Sequence, residues 1–363
     1  MNRRRFLWLQ AAGIALLGKL PFLSRTARAA QRHPPRRGVS LSGGEFGTDK
    51  KDFSNEQPGT FGRDYTYNSE RTVAYFCDHG LGLLRLPFRW ERLQPRLGET
   101  LNETELKRLK TAVGWARKHG GEVILDVHNY GRYCIFHHGK KHECVIDQKV
   151  AGFVPVTRRH FADLWRRLSR EFRSEPAVYA YGLMNEPHDM GMSDWKTISQ
   201  AAVDAIRGEK DHKLILVAGD HWSNSHRFEE FNGARAWIKD PANQVAYEAH
   251  CYFDHDFSGR YELSYDKELA RDPKLEGRGE ERLKPFARWC QRNRVRGFLG
   301  EYGIPANDER WQKVLARFLR ALDDAGMDSC YWAAGEWWGD YPLSIQPRRD
   351  FEQAAPQLRI LKR

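Results

Sequence analysis

The chain has 363 residues, 40% of them hydrophobic and 12% aromatic, enough for one large core or two ordinary ones. Its formal net charge is +11, but six basic side chains lie in the first 29 residues, which hold no acid, and the remaining +5 is spread along the chain. A diffuse excess of that size reads as a solubility feature and argues against a nucleic-acid partner.

Residues 1–29 read as a targeting segment. Basic Arg3, Arg4 and Arg5 precede an apolar run from Trp8 to Leu17, and Ala27-Arg28-Ala29 offers a small-x-small cleavage site. The Arg-Arg-x-Phe-Leu pattern resembles a twin-arginine export signal. The run is short for a membrane span, so no stable anchor is expected after cleavage. Residues 30–37, with Pro34-Pro35, read as a linker.

From Gly38 onward, short apolar runs alternate with amphipathic stretches. Strands are expected at 38–42, 81–88, 122–128, 177–184, 213–218, 244–252, 295–301 and 327–332. Helices are expected at 69–79, with Ser69 as N-cap, and at 103–119, 157–172, 193–208, 281–292 and 308–325. Residues 129–155 and 253–279 read as long loops, and a short helix closes the chain. Eight strand–helix units in one chain point to a single-domain α/β fold, the (β/α)8 TIM barrel, over 38–363. The alternative, a doubly wound open sheet, lacks its Gly-rich phosphate turn.

In such a barrel the C-terminal strand ends form the active face. They carry Arg85, then His128 and Asn129, then Asn185 and Glu186, then His250 and Tyr252, then Glu301, and lastly Trp332. Each alone has an ordinary reading as a cap, an ion-pair partner or a packed ring. Converging on one rim, they suit cleavage of a glycosidic bond, in which one carboxyl protonates the leaving oxygen and the other attacks the anomeric carbon or activates water. Trp90, Trp222, Trp332, Trp337 and Trp338 lie in or beside the same loops. Their flat faces match the apolar C–H faces of pyranose rings.

These residues resemble the family 5 glycoside hydrolases, the cellulase family, over almost the whole mature chain. Leu183-Met184-Asn185-Glu186-Pro187 matches the acid/base signature and Gly300-Glu301-Tyr302-Gly303 the nucleophile strand. Arg85 in Leu-Arg-Leu-Pro-Phe, His128 in Asp-Val-His-Asn-Tyr, His250-Cys251-Tyr252 and Trp332 match as well. The resemblance implies a retaining endo-β-1,4-glucanase acting by double displacement, with Glu186 as acid/base and Glu301 as nucleophile. Arg85 and Tyr252 would donate to Glu301, and Asn185 would bind the sugar 2-hydroxyl. His128 and His250 would position Glu186 or the sugar, Trp332 would floor the subsite, and Asn129 and Trp222 would add substrate contacts. It implies no cofactor and a polysaccharide or oligosaccharide partner; a monomer is expected, and the twin-arginine-type signal points to an exported, periplasmic or extracellular location. β-Mannanase, xyloglucanase and exo-β-1,3-glucanase activities share the same carboxylate pair and remain as alternatives.

Two other readings concern residues 134–144. Cys134, His137, His138, His142 and Cys144 could supply zinc ligands, although their spacing fits no closed structural zinc pattern well. Of the six cysteines, Cys134 and Cys144 flank one loop and form the best candidate disulfide. A catalytically dead carbohydrate-binding module is disfavoured by the two carboxylates. A serine-hydrolase elbow is disfavoured because Gly38-Val39-Ser40-Leu41-Ser42 lacks the second glycine.

Overall fold

The structure, a computed structural model, describes residues 34–150 and 152–362. The expected export signal and residues 30–33 of the expected linker lie outside the described residues. The chain runs β1 (Arg37–Leu41), α1 (Glu70–Asp78), β2 (Leu83–Phe88), α2 (Trp90–Leu93), α3 (Glu103–Lys118), β3 (Glu122–Val127), β4 (Arg132–His137), β5 (Lys140–Val145), α4 (Arg158–Phe172), β6 (Val178–Gly182) and α5 (Trp195–Gly208). It continues with β7 (Leu214–Ala218), α6 (Phe228–Asn232), β8 (Val245–His250), α7 (Tyr265–Arg271), α8 (Arg278–Asn293), β9 (Arg296–Glu301), α9 (Arg310–Ala325), β10 (Asp328–Ala334) and α10 (Leu358–Leu361).

Eight strands, β1, β2, β3, β6, β7, β8, β9 and β10, pair in parallel and close into a barrel, with β1 bonded to both β2 and β10. This is the expected (β/α)8 fold. The helices start where the sequence supplies caps. Ser69 accepts from the Thr72 amide, Asn102 accepts from Glu105, and Thr157 with His160 forms a capping box. In α4 the buried face is Phe161, Leu164, Trp165, Leu168 and Phe172, a 3.6-residue stripe laid on the barrel.

Side chains on a strand alternate between faces, so residues two apart share one. The lumen is therefore filled in layers. Leu83, Ile124, Ala180, Leu216, Ala246, Phe298 and Cys330 form an apolar cluster of their own. Two residues further along come Arg85, Asp126, Glu248, Gly300 and Trp332, and two beyond Asp126 and Glu248 come His128 and His250. Buried apolar residues floor the lumen, and its polar side chains gather toward the catalytic end.

One irregularity matters for the site. β8 and β9 run in register from Ala246↔Arg296 to Ala249↔Leu299, after which His250 pairs with Glu301. Gly300 is the extra residue of a β-bulge. A bulge re-aims the side chain that follows it, so Glu301 turns inward where unbroken alternation would send it outward.

The structure corrects three expectations. Residues 129–155 contain the antiparallel hairpin β4–β5, and residues 253–279 contain α7 and a 3-10 turn at Leu275–Gly277. Cys134 and Cys144 do not form a disulfide. Cys134 lies opposite Glu143 and Cys144 opposite Tyr133, one residue out of register, so the two thiols point to opposite faces of the hairpin. Among the described residues no histidine–cysteine group on this hairpin gathers to hold a metal, and none of their helices is long and apolar enough to cross a membrane.

Candidate active site

Glu301 ends β9 and is buried. Its Oε1 accepts from Nη1 of Arg85 at 2.9 Å and its Oε2 from the Tyr252 hydroxyl at 2.8 Å. Arg85, wholly buried in the lumen, also donates to Oδ1 of Asn185 at 2.6 Å and lies 3.2 Å from Asp126 and 3.5 Å from Glu248. Burial disfavours its charge, but Asp126, Glu301 and Glu248 outweigh that and raise its pKa further. Burial and the neighbouring Glu301 push the Tyr252 phenol well above its ordinary range, so it serves as a donor.

Glu186 follows β6 on a backbone with φ of +41°. Its side chain is 16% exposed, against 5% for Glu301. The Nδ1 of His250 donates to Oε1 of Glu186 at 2.7 Å and stands 3.5 Å from Oε2 of Glu301. One oxygen of each carboxylate and a ring nitrogen of His250 all lie within 4.8 Å of one another.

Such a trio has the spacing of a metal site as well as that of a hydrogen-bonded charge cluster. Burial works to lower the pKa of His250, yet Glu301, Glu186 and Glu248 push it up to about 10.

His128 and Asn185 form the opposite wall. Nδ1 of His128 faces Oδ2 of Asp126 at 2.8 Å, and Nε2 faces the Asn185 amide nitrogen at 3.2 Å. Oδ1 of Asn185 accepts from Arg85, which fixes its amide to donate to Nε2; the ring proton therefore sits on Nδ1. Burial and Arg85 hold the His128 pKa well below its usual range, so this histidine stays neutral. The Trp332 ring stacks on His128, with centroids 5.3 Å apart and planes at 17°.

Trp338 abuts Trp332, Phe46 and Tyr341, extending the aromatic surface on that side. On the other side of Glu186, Trp222 stacks on His188 at 4.4 Å and 12°, and its amide donates to the Pro187 carbonyl. Trp222 is 40% exposed, a face open to solvent. Asn129 is placed elsewhere. It is fully buried, donates to Glu91 and to the Arg132 carbonyl, and accepts from the Trp90 amide. Its amide is committed to holding the start of α2.

Sequence reasoning missed Asp126 and Glu248, although a signal was present. Each lies two positions before a lumen histidine, so period-2 alternation puts both carboxylates inside the barrel. Burial, opposed by Arg85 and assisted by Glu248, pushes Asp126 up to about 7. For Glu248 burial opposes the charge, but His250 and Arg85 hold its pKa below the ordinary range. Glu45, in the loop after β1, was also missed; burial pushes it up to about 7, while the Gly43 amide donates to its Oε2.

The family model for cellulase (glycosyl hydrolase family 5) matches residues 38–337. Endoglucanase 1 from Robillarda sp. is 33% identical over 319 residues, 83% of this chain and 78% of its own. The endoglucanase Cel5A of Pseudomonas stutzeri, solved with cellobiose, is 37% identical with a TM-score of 0.77, over 90% of this chain and 91% of that one. An endo-beta-1,4-glucanase from Xanthomonas axonopodis pv. citri is 36% identical with a TM-score of 0.77, over 90% and 97%. Match, barrel and rim agree: the chain belongs to the cellulase family, glycosyl hydrolase family 5.

Proposed function

We propose that the protein is an endo-β-1,4-glucanase that cleaves its substrate with retention, using Glu301 as nucleophile and Glu186 as acid/base. The observation that carries the reading is the approach of the two carboxylates, an oxygen of each within 4.8 Å of the other. Retaining pairs stand about 5–5.5 Å apart, whereas an inverting pair needs about 6.5–9.5 Å to admit water between them. The named relatives support β-1,4-glucan as the substrate.

In the first step Glu301 attacks the anomeric carbon while Glu186 gives its proton to the departing glycosidic oxygen. A covalent glycosyl–enzyme forms and the leaving chain departs. In the second step Glu186, now a carboxylate, takes a proton from water, which displaces Glu301. Arg85 and Tyr252 aim Glu301 and balance its charge. Asn185 keeps one amide hydrogen beyond its bond to His128 and offers it to the sugar 2-hydroxyl. Trp332 floors the subsite at the scissile bond, and Trp222 receives a more distant sugar. Residues 1–29 serve as the export signal, and residues 38–363 act as one catalytic domain.

The test uses Glu186→Gln and Glu301→Gln on soluble β-1,4-glucan, mannan, xyloglucan and β-1,3-glucan. Both variants should lose at least about 10²-fold in kcat. With an activated aryl cellobioside, Glu186→Gln should still release the phenol in a burst, and Glu301→Gln should not. Wild-type product should appear first as the β-anomer. Undiminished hydrolysis in either variant, or an α-anomer product, rules the reading out.

A further inference from the structure

We infer that Glu248 is a positioning residue of this site, acting through the charge of the His250 ring to aim Glu186. This rests on Glu186 being the acid/base proposed above.

Glu248 and His250 lie two apart on β8 and both enter the lumen. Glu248 is 2% exposed, and its Oε1 lies 3.3 Å from Nε2 of His250 and 3.5 Å from Nη2 of Arg85. The other ring nitrogen, Nδ1, points at Glu186 and lies near Glu301. Both nitrogens face carboxylate oxygens, so both act as donors and the ring is an imidazolium. Glu186 reaches it from the end of β6, Glu301 from β9 and Glu248 from its own strand. Arg85 from β2 shares Glu248 and Glu301 with it, Asp126 lies behind the neutral His128 of the opposite wall, and Tyr252 is bonded to Glu301.

The backbone reserves room for this pair. A Cβ at Gly300 would stand 1.9 Å from Oε1 of Glu248 and 2.7 Å from Nε2 of His250. The bulge residue that turns Glu301 inward must therefore also lack a side chain for Glu248 to reach the histidine. One glycine thus both turns Glu301 inward and leaves room for Glu248 beside His250.

The consequence is positional. A charged imidazolium 2.7 Å from Glu186 makes a stronger hydrogen bond than a neutral ring, and that bond fixes the rotamer of Glu186. Glu248→Gln removes the anion behind the ring. The new amide can donate to Nε2, which then accepts, and the ring is left neutral with its proton on Nδ1.

The experiment follows the His250 ring nitrogens by NMR and the pH dependence of kcat in the full-length protein. In the wild type His250 should stay doubly protonated beyond pH ~8, well above an ordinary histidine near ~6.5. In Glu248→Gln the neutral ring should appear at least ~2 pH units lower, and the pH optimum should move down by ~1 unit or more, since the imidazolium survives only in acid. At neutral pH kcat should fall about tenfold, part of the ~10²–10⁴-fold that acid–base assistance supplies. Glu248→Asp, which keeps the charge, should move the profile back toward wild type. An ordinary His250 titration in the wild type, or a folded Glu248→Gln with the wild-type profile, overturns the proposal. Failure of the parent reading looks different: Glu186→Gln would then hydrolyse glucan as the wild type does, whatever His250 titrates like.

Discussion

Arg85 and Glu301 meet at 2.9 Å, with the guanidinium wholly enclosed by the barrel. Its two terminal nitrogens touch Glu301, Asn185, Asp126 and Glu248. Arg85→Met should therefore destabilise the fold by about 3–5 kcal/mol, because it leaves buried carboxylates uncompensated. Arg85→Lys should recover only part of that, since an ammonium cannot serve the fork of partners. Chemical denaturation of both variants measures the loss. A drop under ~1 kcal/mol for the Met variant would mean that the carboxylates take up protons at little expense.

Stability should decline from neutral to alkaline pH. Glu45 and Asp126 are pushed up to about 7, mainly by burial. His250 is pushed up to about 10, its carboxylate neighbours overcoming burial. Each group binds its proton more tightly folded than unfolded. Its contribution is therefore complete below the ordinary value and is lost as pH rises through the folded one. The melting temperature should fall from pH ~7 upward, through the two carboxyls and then toward pH ~10 through His250; below pH ~6.5 the neutral, buried His128 works in the opposite sense. Glu45→Gln should flatten the first part of that slope. A melting temperature that climbs steadily from pH ~6 to ~9 contradicts the assignment.

The six cysteines should all be thiols. Unfolding in denaturant without reductant, followed by alkylation, should add six labels by mass. Reductant should leave the melting temperature unchanged. Four labels, or a fall in melting temperature with reductant, would reveal a disulfide.

Trp222 offers an open ring face beside the Glu186–His188 turn. Trp222→Ala should raise KM for long glucan oligosaccharides about two- to tenfold, the range of a single aromatic stacking contact, with a smaller change in kcat. An unchanged KM at every chain length would place the substrate path on the Trp338 side alone.

The barrel was legible because its strands are near-continuous apolar runs ended by Gly, Pro or polar residues. The rim followed, since strand ends must face the catalytic side. What escaped notice had specific causes. The β4–β5 strands are edge-like and polar, and the two-residue His138-Gly139 turn between them was overlooked. α7 sits in a charged stretch whose only herald is its N-cap, Ser264. Asn129 stood at a strand end and was credited to the rim, but the next turn draws its amide into the wall. Asp126 and Glu248 sit inside strands, where a search confined to strand ends does not look. Glu301 faces inward because of a register shift, which depends on how two strands pair and cannot be read from either alone.

The backbone of Glu186, at φ +41°, is in territory that suits asparagine or glycine better than a long L-side chain. Holding it there costs about 1–3 kcal/mol, supplied by the surrounding packing. Glu186→Asn should relieve that strain but take a carboxylate partner from His250, so the melting temperature should change little while turnover falls at least about 10²-fold. The two effects on stability offset each other at this residue. A directed-evolution screen scored on thermal survival alone would therefore be blind to the loss of the proposed acid/base.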